Sequence, residues 1–513
     1  MTDTVEVRRG AYHDSVSLMQ ASRTVQETTG ISAALVAMAT ELNVELLAGM
    51  GFATPPHAGP NDLLVAIRAD DDAAREVALA ALTQALQSRS RASDGSTSDV
   101  PPRTIGSAAA RISATLAMVS VPGRYAFVEA MDALEAGLSV LVFSDGVPVA
   151  HEIRLKDAAA ERDLLVMGPD CGTAIVAGVG LGFANVVRPG PVGIVAASGT
   201  GAQQLCCLLD AVGVGISHVL GVGGRDLSAE VGGRSTLQAL SALDCDPATE
   251  LIVVVSKPPA AEVAERVHAA AAGLATPVVF GLLGPGRPDL SAVAADAIRA
   301  LGADPPEWPT WPAAAPSPVI QGNARTDVGM RVSLDLDRVG RGYLRGLFCG
   351  GTLCDEAMII ATAQLGPIAS NIPLQPEWAL ASDLRAPGHL MIDFGDDALT
   401  AGRPHPMIDP SLRTERLLVE GSDPAAAVVL LDVVLGHGAA ADPAGGLAPA
   451  ITAARDAAAA GGRDLAVVVS LCGTEGDPQD RDDQARALAG AGACVFGSNA
   501  AAARHAVALV RTS

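Results

Sequence analysis

Two short stretches carry the residue types that hold anions. Ser198-Gly-Thr-Gly201 follows the apolar run Val192-Gly-Ile-Val-Ala-Ala197, Gly350-Gly-Thr352 follows Leu347-Phe-Cys349, and each opens an apolar helix. A turn of this kind leaves the first backbone N–H groups of the helix without intrahelical partners, and the positive end of the helix dipole points the same way. Ser198, Gly199, Thr200 and Gly201, and again Gly350, Gly351 and Thr352, therefore read as seats for phosphate or carboxylate. Taken singly, either turn is also explained as a plain strand-to-helix connection with Ser or Thr as N-cap. The repetition weighs against that. An acidic glycine loop follows each turn in the same order, Gly221-Val-Gly-Gly-Arg-Asp226 and then Asp393-Phe-Gly-Asp-Asp397, so two copies of one α/β unit are expected.

Other side chains qualify by position. Lys257 ends the apolar strand from Leu251, with Pro258-Pro259 starting the next helix. It offers a point charge to an anion held at the neighbouring turn, or else snorkels from the sheet edge. Arg225, beside Asp226 and flanked by Gly223 and Gly224, suits a bidentate clamp on a planar carboxylate or carbamoyl group, and equally a loop salt bridge. Asp396 and Asp397 with Arg403 read as substrate-binding residues, and with Asp393 the carboxylates could orient a polar substrate or Mg²⁺; a solvated turn is the alternative. His405, between two prolines, is rigidly placed for positioning or general-acid work. Lys257, Arg225 and His405 are the expected catalytic groups. Gly10 and Asp170 are the expected cofactor contacts, and no metal site is assigned.

These residues need strands to deliver them. Leu116-Ala-Met-Val-Ser-Val121, Ser139-Val-Leu-Val-Phe143 and Leu164-Leu-Val-Met167 are apolar strands separated by helical patterns, which implies a parallel sheet with its ligands at the carboxyl ends. Ser144-Asp145-Gly146 and Gly168-Pro169-Asp170 lie at such ends. Val5-Glu-Val7 reads as a strand and Val16 to Glu27 as an amphipathic stretch. Ser90 to Asp99 is an expected exposed loop, and six prolines between Ala303 and Pro318 mark a domain boundary.

The whole composition restricts the function. A chain of 513 residues, 49% hydrophobic and only 3% aromatic, can form about three domains of small aliphatic side chains packed on sheets. A formal charge of −22 leaves no basic footprint for nucleic acid or an anionic membrane. No apolar run is long enough to span a bilayer and the N-terminus lacks a signal-peptide pattern, so a cytoplasmic protein is expected. The eight cysteines show no metal-ligand spacing and read as reduced, buried thiols.

In order along the chain, Val121-Pro-Gly-Arg124 with the helix to Gly137, Gly168-Pro-Asp-Cys-Gly172 and the Ser198-Gly-Thr turn resemble the α subunit of succinyl-CoA synthetase. More closely, Asp14-Ser-Val-Ser-Leu-Met19, Leu165 to Thr173, Gly223-Gly-Arg-Asp-Leu227, Val255-Ser-Lys-Pro-Pro259 and Gly402-Arg-Pro-His-Pro-Met-Ile-Asp-Pro410 resemble the FdrA family of acyl-CoA-synthetase-like proteins, over nearly the whole chain. The resemblance implies a Rossmann-like CoA-binding-type domain (1–188), a flavodoxin-like ligase domain (189–303), a Pro-rich linker (304–342) and a second flavodoxin-like ligase domain (343–513). It also implies, in the synthetase, a phosphoryl-carrying histidine after the strand Pro277-Val-Val-Phe280, where this chain has Gly281-Leu-Leu-Gly-Pro-Gly-Arg-Pro-Asp-Leu290. No GxxxxGK[ST] loop or complete ATP-grasp domain is present.

FdrA-like proteins are associated with oxamate carbamoyltransferase, so the resemblance implies a carbamoyltransferase subunit that converts oxalurate and phosphate to oxamate and carbamoyl phosphate in allantoin breakdown. Its alternatives are an acyl-CoA synthetase subunit completed by an ATP-grasp partner, and a non-catalytic subunit. The expected partners are small anions (phosphate, carbamoyl phosphate, a carboxylate) and other subunits. No cofactor is required by these residues, with CoA or Mg²⁺ the ones such sites accommodate.

Overall fold

In the computed structural model the described residues are 2–11, 13, 15–55, 58–59, 61–90, 102–313, 342–401 and 403–512. Of the loop expected at Ser90–Asp99, Ser90 ends a helix, while residues 91–99 and the greater part of the expected linker lie outside the described residues.

The first segment departs from the expected single Rossmann-like domain over 1–188. Strands β1 (Thr2–Arg8), β2 (Ile31–Met38) and β3 (Leu63–Ala69), with helices α1 (Ser15–Gln26), α2 (Glu41–Gly49) and α3 (Asp72–Ser90), form a separate sheet in the order β1-β3-β2. Its strands pair antiparallel, with Val5 and Leu35 both opposite Ala66. Leu63, Val65 and Ile67 of β3 pack one face on α1 and α3, while Leu64 and Ala66 cover the other with Leu47 and Phe52. The middle strand is buried on both faces, and this closes the unit on itself.

The parallel part begins after α4 (Ile105–Ala109). Here β4 (Leu116–Val119), α5 (Gly123–Glu135), β5 (Ser139–Val142), α6 (Val149–Ala160) and β6 (Val166–Met167) make a three-stranded parallel sheet. The hairpin β7 (Thr173–Val176) and β8 (Val179–Gly182) then joins the next sheet, Val219 pairing antiparallel with Ile175.

That next sheet has the order β12-β11-β9-β10-β7-β8. It is built from β9 (Pro189–Ala197), α7 (Gly199–Asp210), β10 (Ile216–Gly221), α8 (Arg234–Asp244), β11 (Leu251–Ser256), α9 (Ala261–Ala271), β12 (Val278–Leu282) and α10 (Leu290–Ala300). The last sheet, in the order β13-β19-β18-β17-β14-β16-β15, begins with β13 (Thr310–Trp311), β14 (Tyr343–Phe348), α11 (Gly351–Leu365), β15 (Ala369–Ser370), β16 (Leu390–Asp393), α12 (Asp397–Thr400) and α13 (Ser411–Ser422). It continues with β17 (Ala426–Val434), α14 (Pro443–Ala460), β18 (Ala466–Cys472), α15 (Arg481–Gly490), β19 (Ala493–Phe496) and α16 (Asn499–Thr512). The protein is thus α/β, a Rossmann-like parallel unit followed by two flavodoxin-like ones.

One hydrophobic core runs through both large sheets, joining Ile194, Leu205, Leu209, Leu353, Met358 and Val507. Polar ties reinforce it. Asp477 accepts from Val186 N and Asn185 Nδ2, both at 2.7 Å, and from Thr474 N at 2.8 Å. Cys207 Sγ lies 3.6 Å from Cys472 Sγ. The cysteines are free thiols, as read from the sequence, although Cys245 is exposed and Cys494 only partly buried.

Candidate functional site

The two repeated turns meet. Ser198 caps α7, its Oγ accepting from Gly201 N at 3.0 Å, and the same hydroxyl donates to Thr352 Oγ1 at 2.7 Å. The N-termini of α7 and α11 therefore meet at one junction, and the positive ends of two helices of 12 and 15 residues add there. Glycine is required on the far side: a Cβ on Gly350 would stand 2.9 Å from Thr200 Cγ2 and 3.0 Å from its Oγ1. Thr200 is only 9% exposed, and its hydroxyl has no hydrogen-bond partner among the described residues. The second turn has no side-chain cap of its own. Asp432, fully buried at β17, accepts from Cys349 N at 2.7 Å and Gly350 N at 2.8 Å, and Arg413 Nη1 pairs with it at 2.7 Å.

Charge collects around this junction. Lys257, at the end of β11, approaches Asp355 Oδ2 to 3.3 Å. A Cβ on Gly351 would lie 3.1 Å from Lys257 Nζ and 2.7 Å from Asp393 Oδ2, so both groups flank the first residue of α11. Burial opposes the lysine's charge, but Asp355 and Asp393 outweigh it and hold the pKa above its ordinary value. Burial pushes Asp393 up to about 7 against the pull of Lys257, and also raises Asp355.

The strand ends of the preceding unit close one side. Although Asp170 reaches solvent, the cleft walls desolvate it and, with Asp397 and Asp145 nearby, push its carboxyl up to about 7. Lys257 and Arg225 act on Asp170 and Asp397 in the opposite direction, so these groups lie within electrostatic reach of one another. Gly223, at φ +88°, lets the β10 loop pass where a Cβ would stand 2.5 Å from Pro169 O. Gly224 adjoins Asp170 more loosely, its Cβ position 4.0 Å from Oδ2. Arg225 is held from behind by Val147 O at 2.8 Å and Glu152 Oε2 at 3.0 Å.

The structure therefore brings together Ser198, Gly199, Thr200, Gly201, Gly350, Gly351, Thr352 and Lys257, with Arg225, Asp170 and Asp397 along the cleft. Asp226 is not among them. It is fully buried, accepting from Lys156 Nζ at 2.7 Å, Ser235 N at 3.1 Å, Thr236 N at 2.9 Å and Thr236 Oγ1 at 2.6 Å, and so locks the start of α8. Gly10 lies in the separate N-terminal unit, where its N–H donates to Asp62 Oδ1 at 2.9 Å; no sheet carries it to the cleft. Asp396 caps the short helix α12, and Arg403 is exposed with its N–H on Thr400 O.

His405 packs on Phe183, ring centroids 5.3 Å apart, and its Nδ1 accepts from Met407 N at 3.3 Å. Its Nε2 therefore carries the proton. A Cβ on Gly395 would be 2.8 Å from that Nε2 and 3.1 Å from Asp393 Oδ1. Burial, helped by the Arg413 cation, lowers its pKa to about 4, so the ring is neutral at pH 7.

Sequence reasoning missed Asp355, Lys156, Glu152, Asp432 and Arg413. Asp355 stands three residues after Thr352, on the same helix face, and that spacing was available. The others are paired over long sequence separations with no local signal. Among the described residues no group of three or more His, Cys, Asp or Glu is arranged to hold a metal ion, and no helix is long and apolar enough to cross a membrane.

A family model described as "AllF, heavy metal-associated domain" matches residues 1–102, and one described as "CoA-ligase" matches residues 347–509. The uncharacterized protein YahF of Escherichia coli (strain K12) is 38% identical over 510 residues, which is 97% of each chain. Subunit alpha 2 of succinate–CoA ligase (ADP-forming) from Archaeoglobus fulgidus is 30% identical over 148 residues, 28% of this chain and 50% of that one. Subunit alpha of malate–CoA ligase from Methylorubrum extorquens is 28% identical over 162 residues, 30% of this chain and 53% of that one. These matches correct the carbamoyltransferase expectation. These two relatives and the matched C-terminal model are CoA ligases, and two anion seats, read from the sequence as suiting a phosphate and a carboxylate, are not particular to carbamoyl transfer.

Proposed function

Since the chain belongs to the FdrA family of acyl-CoA-synthetase-like proteins, related to the α subunit of succinyl-CoA synthetase, we propose that it is the acyl-transferring subunit of an acyl-CoA ligase. Its substrates in this reading are a small carboxylic acid, a phosphoryl group and CoA, with a separate nucleotide-binding subunit as partner. The junction of α7 and α11 carries the proposal: two helix N-termini meet there, joined by the 2.7 Å Ser198–Thr352 hydrogen bond and edged by Lys257.

The chemistry follows from charge. A phosphoryl group carries its negative charge on several oxygens, and backbone N–H groups at two helix starts can meet several of them at once. Lys257 offsets the charge that grows on phosphate as it separates from an acyl carbon, and groups fixed in advance do this without reorganising. His405 contributes a neutral N–H donor beside Asp393, not a proton acceptor. In the same reading CoA extends along the loops after β5 and β6, where Ser144–Gly146 and Gly168–Asp170 border the cleft.

The reading is tested by mixing the chain and its co-purified partner with ATP, CoA and succinate, malate or acetate, and measuring thioester formation. Nucleotide-dependent thioester that disappears with Lys257→Met supports it. Absence of thioester with every acid, in a preparation whose partner binds ATP, overturns it.

A further inference from the structure

We infer that the N-terminal unit is a positioning module for the loop that carries His405, and not a carrier of heavy metal. The description of the family model matched there implies the metal. The donors do not fit it. Thiophilic ions are held by thiolate and thioether sulfur, with imidazole next. Residues 1–102 contain no cysteine and two histidines, His13 and His57. Of the methionines after the first, Met38 and Met50 pack in the unit's own two hydrophobic clusters, and Met19 packs on the large core of the body. Among the described residues no three His, Cys, Asp or Glu side chains are grouped to hold an ion.

Helix α1 shows what the unit does instead, because it has two working faces. Leu18, Ala21 and Val25, three and four residues apart, are buried in the unit's own core. Met19 and Arg23, four residues apart, turn to the body. Met19 packs on the core that includes Met407 and Ile408, and Arg23 Nη1 donates to Ile408 O. Glu27, one turn on, orients the guanidinium by accepting from its Nε at 2.7 Å.

This contact reaches the turn that sets His405. Met407 N donates to His405 Nδ1 at 3.3 Å, and Ile408 N and Asp409 N both donate to His405 O, at 2.8 and 3.0 Å. Ala440 N holds Met407 O at 2.8 Å, and Arg23 holds Ile408 O. Packing behind the turn is incomplete, since a small cavity lined by Cys349, Pro406, Met407, Pro410 and Arg413 lies against it. A turn with a void behind it needs a hold from outside. Arg23 supplies that hold, and through Met407 it keeps Nδ1 of His405 an acceptor and the Nε2 proton beside Asp393.

The test uses the full-length chain with and without Arg23→Met. Hydrogen exchange read by mass spectrometry should rise about tenfold at Met407, Ile408 and Asp409, the scale of one lost hydrogen bond, and stay unchanged in β3 and α7. If exchange rises in β3 as well, Glu27→Gln, which only frees the guanidinium, is read in its place and should give a smaller rise at the same three amides. In NMR spectra of the chain labelled with heavy nitrogen in histidine, the His405 signal, identified by its loss in His405→Asn, should move towards that of mixed tautomers. Arg23→Lys, which can still donate to Ile408 O, should restore both readings. Zinc(II) or copper(I), added to Cys245→Ser protein to remove the exposed thiol, should not be retained through gel filtration in a chelating buffer. Unchanged exchange at the turn overturns the inference, and so does faster exchange with an unmoved His405 signal, which makes the contact a simple dock. Stoichiometric metal abolished by His13→Ala or His57→Ala overturns it too, whereas metal that survives both substitutions sits outside the unit and leaves it standing.

Discussion

At the scale of single residues, the site works by placing charges that would separate in water. Lys257 stays protonated because Asp355 and Asp393 face it, so its removal leaves two buried carboxyls without their cation. Lys257→Met should lower acyl transfer about a hundredfold, mainly in kcat, with circular dichroism unchanged; an equal loss confined to KM would assign the lysine to binding only. Asp393 provides a second reading of the same pair. Its carboxyl titrates near 7 in the folded protein, against an ordinary value of 3.8, so the folded state binds the proton more tightly. The stabilising contribution is complete at pH values below the ordinary carboxyl range and is lost as the pH rises towards 7. The melting temperature of Asp393→Asn should therefore gain on that of the unchanged protein between about pH 5 and about pH 8. His405 moves the other way, its contribution being lost as the pH falls from the ordinary histidine value towards 4, and cancels when the two proteins are compared at each pH.

At the scale of elements, the second turn depends on a strand that is remote from it in the sequence. Asp432 holds the N–H groups of Cys349 and Gly350 and is itself held by Arg413, with Asp432 fully buried and Arg413 4% exposed. Arg413→Met leaves that carboxylate buried and uncompensated, which should cost about 3–5 kcal/mol in urea denaturation. Asp432→Asn, which keeps one acceptor but leaves Arg413 buried without its anion, should cost a similar amount. The legibility of the site divides along this line. Strand, turn and helix at 192–206 and at 347–358 could be read because each is local: an apolar run, a glycine turn and a helical period within one window. Asp432 and the Lys156–Glu152–Asp226 cluster could not, since a lone carboxylate or lysine in an apolar run gives no sign of its partner. The N-terminal unit was misassigned for a related reason. Val5-Glu-Val7 reads as a strand in either setting, and only pairing with β3 reveals an antiparallel sheet.

At the scale of the molecule, the junction of α7 and α11 exists only while the two large sheets hold their relative position. Asp477 is the polar contact that best reports this, because it gathers donors from Asn185 and Val186 between β8 and β9 and from Thr474 after β18. Asp477→Ala should lower the melting temperature and split one calorimetric transition into two; a single transition at the original temperature would show that the shared apolar core suffices. The N-terminal unit reaches this assembly at the loop bearing His405, where Arg23 donates to Ile408 O. The bond between Ser198 and Thr352, which spans 154 residues, also says something about synthesis. At ribosomal speed the α7 turn leaves the tunnel roughly ten to thirty seconds before its counterpart. During that interval the nascent chain presents an unopposed anion seat and an uncovered apolar helix, which makes it a substrate for holding chaperones rather than for its own ligand.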